Sequence, residues 1–397
     1  MISANINPDL LIWARKAMGF EIEETAKKIP VKTDVLEKWE SGEKKPTINQ
    51  LRKIANVYKR SLAVFFLSKS PPVPKISNDF RLLPESIEKK LSPRILTEIR
   101  LCNRKREIAL ELAKMTDLKI ENELSIAHLD DDIEKLAQRE RDFINIDIQT
   151  QFNLKDVYTA LKLWKNVFET KGILVFQSTG IPVSDMRGYS YFDKEYPFII
   201  INSNDTPNAR IFSLFHEYCH LLLRNGGICD MYEPMQKGNI YHSELEIFCN
   251  RFAAAFLIPK NKLMDESIVK ANSNPNKWSD DSIQKLSHKY KVSREVIIRR
   301  LTTLNRATIE CYREKHTQYS EEAKRLETSN KEIIVPQYRK AMSRNGEMYT
   351  SLVIESFREK KINMSDVADY LGIRLKHLPR IESEIMNTKL SSSGPFD

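Results

Sequence analysis

Residues 212–224 read FSLFHEYCHLLLR, and within them His216, Glu217 and His220 form the pattern HExxH. On a helix, residues four apart lie one turn apart on the same face, so both imidazoles point the same way with a carboxylate beside them. That arrangement supplies two ligands and a general base for a hydrolytic metal ion. Such a site also needs a third ligand from another element and an open position for water. The plain alternative is a buried helix whose histidines hydrogen-bond in a polar groove. Phe212, Leu214, Phe215 and Leu221 to Leu223 surround the motif with apolar side chains. Burying two imidazoles and a carboxylate there without partners costs several kcal/mol, which favours the metal.

The flanks supply the rest of a domain. Thr206 at N-cap and Pro207 at N1 start the helix, and Asn225-Gly226-Gly227 end it. From Lys171 the period changes: KGILVFQ, RGYSYF and YPFIIIN are short, rich in β-branched and aromatic residues, and separated by Gly, Pro and Asp. They predict a small antiparallel sheet whose last segment, ending in IIIN, holds an extended peptide beside the metal. Downstream, SELEIFCNRFAAAFLIP predicts an apolar helix with Glu246 near its start. Two readings of Glu246 stand side by side. It is the third ligand, from a second helix, or it is N3 of a capping box whose N-cap is Ser243. Glu244 is a lesser ligand candidate in the same turn.

Toward the N-terminus, LLIWARKAM, IEETAKKI, TDVLEKWE, INQLRKIANVY and SLAVFFL each carry apolar residues three and four apart. They predict a five-helix module in which the brief PVK connection forces the sharp crossing of a helix-turn-helix. SKSPPVPKIS then marks a linker, residues 85–170 read as mostly helical, and SIQKLSHKYKVSREVIIRRLTTLN has a second helix-turn-helix look. SLVIESFREK and SDVADYLGI are two more helical patterns before the polar tail SSSGPFD. The expected organisation is 1–69 helix-turn-helix module, 70–170 linker and helical region, 171–304 HExxH domain, and 305–397 a C-terminal helical region.

Bulk properties exclude other classes. A chain of 397 residues predicts two or three domains. With 41% hydrophobic and 29% charged residues, it is not collagenous, fibrous or largely disordered. The five cysteines are an odd number without a CxxC pair, which argues against a disulfide framework. No stretch approaches the roughly 20 apolar residues of a membrane span, and no signal-peptide run opens the chain, so a cytoplasmic location without a membrane partner is expected. A net charge of +9 is compatible with a nucleic-acid partner.

FSLFHEYCH followed by ExxCNRFAAAFLIP resembles the ImmA/IrrE-type metallopeptidase domain, whose pattern is HExxH and then E-x-x-[A/C]-N-x-F-A-A with a closing Pro. The resemblance runs from about Lys171 to Leu304 and implies an α+β, zincin-like fold. It also implies that His216, His220 and Glu246 hold Zn2+ and that Glu217 is the general base. That base takes a proton from the attacking water and passes it to the leaving amine. Cys219 stands where the family more often has Gly, and Cys219 and Cys249 read as packing residues. Tyr189, Tyr241 and His242 are candidate oxyanion donors.

KTDVLEKWESGEKKPTINQLRKIA resembles phage-repressor-type helix-turn-helix domains through Trp39-Glu40-Ser41-Gly42-Glu43-Lys44-Lys45-Pro46-Thr47. The likeness covers residues 8–67 and implies double-stranded DNA as a partner. Lys32 and Thr33 stand at the recognition-helix start, and Lys38, Lys44 and Lys45 are placed for the backbone. Residues 1–69 carry 13 Lys and Arg against 8 Asp and Glu. Asp34 and Glu37 repel phosphates, which leaves protein docking or homodimerisation as the alternative role. Should DNA bind elsewhere, Arg299 and Arg300 are the nearest candidates.

The chain is thus expected to be multidomain and mainly α, with a helix-turn-helix module before an α+β metallopeptidase domain. The resemblance implies a zinc endopeptidase that cleaves or relieves a transcriptional repressor or other regulatory protein in a mobile-element or stress response. The alternative is a DNA-binding regulator or antitoxin-like protein whose metal domain senses or docks a partner without robust proteolysis.

Overall fold

A computed structural model describes residues 6–18, 20–58, 60, 62–69, 92–116, 124–224, 228–229, 240–327 and 335–392. The chain divides into two compact units, Met1–Asn103 and Arg104–Asp397.

In the first unit, α1 (Pro8–Ala17), α2 (Ile22–Lys28), α3 (Thr33–Glu40) and α4 (Ile48–Val57) enclose Leu10, Leu11, Leu36, Trp39, Leu51, Ile54 and Tyr58. The fifth expected helix is a 3-10 turn, Leu62–Phe66. The Arg15 guanidinium donates to both oxygens of Glu40 at 2.8 Å, tying α1 to the end of α3. That bidentate pair and the buried Trp39 account for the WE of the motif. Gly42 accounts for its G: it takes φ +77 just after α3, where a side chain is strained. The expected linker falls mostly outside the described residues, and α5 (Pro93–Met115) follows.

The second unit continues with α6 (Ile133–Ile144), α7 (Ile148–Asn153), α8 (Val157–Thr170), β1 (Leu174–Ser178), β2 (Gly188–Tyr191), β3 (Phe198–Asn202), α9 (Pro207–Leu222), β4 (Ile228–Cys229) and α10 (Ile240–Leu257). Then come α11 (Lys260–Asp265), α12 (Ser267–Ala271), α13 (Asp280–Tyr290), α14 (Arg294–Thr303) and α15 (Ile309–Glu327), with α16 (Gln337–Asn345), α17 (Glu347–Arg358), α18 (Met364–Leu371) and α19 (Leu378–Ser392) last. The side chains of Asp132, Asp147, Asp156, Thr206, Ser279 and Ser293 each cap the helix that follows them.

The sheet is mixed rather than antiparallel throughout. Its order is β1-β3-β2-β4, with β3 parallel to β1 and antiparallel to β2, and β4 antiparallel to β2. Both LVFQS and FIIIN are buried along their whole length. Runs buried at every position, as these are, belong to strands covered on both faces. IIIN is consequently an interior strand, flanked on both sides, and not the peptide-holding edge that the sequence suggested.

Helix α9 is the axis of this unit, buried continuously from Ile211 to Leu222. Phe215 sits between Trp164 of α8, 5.0 Å away centroid to centroid, and Phe256 of α10, 4.3 Å away. Such ring pairs add about 0.5–1.5 kcal/mol each to the burial of their area. From the side of α6, Glu140 accepts the Tyr218 hydroxyl at 2.6 Å. The second helix-turn-helix-like pair, α13 and α14, is part of this core. Arg300 is 1% exposed and donates to Glu134 at 2.7 Å, so it offers nothing to a phosphate. Helices α16 and α17 pack on β1 and α8, where the buried Glu169 carboxylate accepts the Glu347 N–H at 3.0 and 3.1 Å.

Candidate metal centre

The two helices that carry the site are held by different signals. In α9, Thr206 accepts the Ala209 N–H at 3.4 Å and Pro207 opens the first turn. In α10 the chain is helical from Ile240, three residues before Ser243. Ser243 is thereby inside the helix and is not its N-cap, so Glu246 is not N3 of a capping box. The side chains of Tyr241, His242 and Ser243 lie outside the described residues, as does Asn225-Gly226-Gly227.

Glu246 faces α9. Its Oε2 is 3.2 Å from His216 Nε2 and its Oε1 is 3.5 Å from His220 Nε2. The two imidazole Nε2 atoms are 3.1 Å apart. All three side chains are buried. Around an ion with bonds of about 2.0–2.2 Å, the edges of a tetrahedron measure roughly 3.3–3.6 Å. The three closest approaches lie within a few tenths of an ångström of that range, with a different Glu246 oxygen facing each imidazole, so the donor set fits a metal ion. Glu244 points to solvent on the same helix.

Asn250 was not singled out from sequence, although it lies four residues beyond Glu246 and so on the same face. Its Oδ1 is 3.0 Å from His216 Nδ1. Accepting a proton there fixes the tautomer that leaves Nε2 as a lone pair toward Glu246 and His220. Burial alone lowers the imidazole's affinity for a proton. Glu246, Glu217 and Asn250 outweigh it and hold His216 above its ordinary value.

Glu217 is 1% exposed and lies against the first residue of β2. Tyr189 is no oxyanion donor. It follows Gly188 in the strand, so its ring stands on the opposite face, where it packs 6.0 Å from Phe198. Cys219 and Cys249 are buried.

Comparison with known families now adds to this geometry. Residues 168–302 match the IrrE N-terminal-like domain, and residues 11–65 match the helix-turn-helix family. The chain carries a helix-turn-helix domain followed by an IrrE N-terminal-like domain. A search of curated proteins found no match. The IrrE N-terminal-like match spans β1 to α14 and contains every residue of the His-His-Glu cluster. It makes this a metallopeptidase-family domain.

In the helix-turn-helix domain, Lys32 precedes α3 and Thr33 begins it. Lys44 and Lys45 are exposed in the loop to α4, and the Lys44 N–H donates to the Lys38 carbonyl at 2.9 Å. Lys38 stands 3.6 Å from Glu43 on the exposed surface. The five residues thus occupy α3 and its two flanks, together with the exposed Asp34 and Glu37. No helix among the described residues is long and apolar enough to cross a membrane.

Proposed function

We propose that this protein is a zinc-dependent endopeptidase coupled to a DNA-binding domain, and that its substrate is a transcriptional repressor or another regulatory protein. The observation that carries the reading is the convergence of His216, His220 and Glu246 at metal-ligand spacing, with the buried Glu217 on the same helix turn. Zn2+ in this site supplies Lewis acidity, polarising a scissile carbonyl and making water more acidic. The protein's own residues do the rest. Asn250 orients His216, Glu246 balances charge, and Glu217 accepts the proton of the attacking water and delivers it to the leaving amine. Lys32, Thr33, Lys38, Lys44 and Lys45 contact double-stranded DNA, which brings the peptidase to a regulator already bound there.

One observation favours a second reading, in which the domain senses or docks a partner and cuts little. Strand β2 is the one that meets Glu217, and its outer edge is already paired by β4, with Gly188 opposite Cys229 and Tyr189 opposite Ile228. An extended substrate that adds to β2 has to displace β4.

The test incubates the zinc-loaded protein and its Glu217→Gln variant with the products of adjacent genes. Cleavage by the first and not the second supports the peptidase. Binding of a product without cleavage by either protein supports the docking reading.

A further inference from the structure

Gly188 needs an explanation that its backbone does not give, because it sits in an ordinary strand conformation, hydrogen-bonded between β3 and β4. Any residue could adopt that backbone. The demand is spatial. A Cβ built on Gly188 would stand 2.8 Å from Glu217 Cγ and 2.9 Å from Glu217 Cδ, and closer still to Oε1. Three atoms of one side chain occupy the space that any side chain at residue 188 would need.

Both partners are flanked by residues that are tied in place. On the strand side, the Asn202 side chain donates to the carbonyls of Ile181 at 3.0 Å and Met186 at 2.7 Å, and the Asn202 N–H donates to the Arg187 carbonyl at 2.9 Å. Arg187 in turn pairs with Asp205 at 2.9 Å. The chain entering β2 is therefore pinned residue by residue up to Gly188. On the helix side, Glu217 lies between His216, held by Asn250, and Tyr218, held by Glu140. With 1% of its surface exposed, Glu217 is enclosed where it stands.

We infer that Gly188 is a positioning residue for Glu217: the missing side chain at this one strand position is what lets the carboxylate stand beside the His-His-Glu cluster. β2 acts as the wall that confines Glu217, and glycine sets the wall's distance. The inference rests on the proposed role of Glu217 as general base. The three atoms nearest the built Cβ all belong to Glu217, and zinc content is measured separately to show whether metal binding changes with it.

The experiment is a double-mutant cycle on the full chain: parent, Gly188→Ala, Glu217→Ala and the double variant. Zinc content per chain, thermal midpoint, and the visible spectrum of the Co2+-substituted protein are measured for each. Gly188→Ala is expected to lower the midpoint by several degrees in the parent but not in the Glu217→Ala background, where Cγ, Cδ and both oxygens are gone. Zinc content should stay near one per chain in all four. The Co2+ spectrum of Gly188→Ala should move toward that of Glu217→Ala, and the double variant should add no further change. If Gly188→Ala fails to fold alone, recovery of folding in the double variant supports the inference. Equal losses in both backgrounds overturn it, because glycine is then required by the strand itself. So does an unchanged midpoint and spectrum in Gly188→Ala. Failure of the parent to cut any regulatory protein sinks the peptidase reading and leaves the 188–217 coupling standing.

Discussion

His216 Nδ1 lies 3.0 Å from Asn250 Oδ1, and through that contact the second helix of the site decides which nitrogen of the first histidine is free. Without the acceptor, the imidazole can rotate or take the other tautomer, and each alternative leaves fewer molecules ready for a metal. Asn250→Ala is expected to keep the fold and lose about 10–100-fold in zinc affinity, measured by competition with a chelator. Asn250→Asp retains an acceptor and should stay close to the parent. Zinc affinity unchanged in Asn250→Ala would show that packing alone fixes the ring.

The second prediction concerns pH. Burial pushes the Glu169 carboxyl up to about 7, against the pull of Lys165 and the Glu347 and Met348 N–H groups, with the Glu347 carboxylate adding to the rise. A carboxyl raised in the folded state binds its proton more tightly there than in the unfolded chain. Its contribution to stability is therefore complete below the ordinary carboxylate range and disappears as pH rises through about 7. Thermal midpoints across pH 4.5 to 8 should fall more steeply for the parent than for Glu169→Gln, whose amide oxygen still accepts from α17. Parallel curves would remove Glu169 as the cause.

DNA binding supplies the third. If Lys32, Lys44 and Lys45 neutralise phosphates, replacing any one by Ala should reduce the log–log slope of affinity against salt by about one and weaken all sequences alike. Lys38 shares its charge with Glu43 at 3.6 Å, so Lys38→Ala should change the slope less. Deleting residues 1–69 should abolish binding. Retention after that deletion cannot be assigned to Arg300, which is paired inside the core.

Which parts of this molecule could be read from sequence follows from how local their causes are. Helix α9 was legible because Thr206, Pro207 and HExxH are all within one element. The HTH module was legible through Trp39, Gly42 and Pro46, although SLAVFFL forms a 3-10 turn. Strand direction was not legible: FIIIN and LVFQS are mostly apolar and buried throughout, and such runs record burial on both faces without recording which neighbour lies parallel. Glu169 reads as one more polar residue on α8, and only the return of the chain 178 residues later buries it under α17. The close approach of Gly188 to Glu217 likewise depends on a strand and a helix meeting, and no spacing announces it.

The last prediction returns to Glu246, where sequence left two readings and the start of α10 at Ile240 removes one. Stability alone does not report on the difference, since a lost metal ligand and a lost cap each cost on the order of 1 kcal/mol or more. Glu246→Gln does report on it. The amide keeps the size and reach of the side chain, but it is a much poorer zinc ligand and removes the charge that balances the ion. We expect Glu246→Gln to remain folded with zinc affinity down at least about tenfold and cleavage lost. His216→Ala and His220→Ala should lose zinc outright, while Ser243→Ala, altering a residue already inside the helix, should keep both zinc and activity. Were Glu246→Gln to bind zinc like the parent, the 3.2 and 3.5 Å approaches to His216 and His220 would be hydrogen bonds only. The third ligand would then have to come from another carboxylate, and Glu244, which faces solvent, would have to turn inward to provide it.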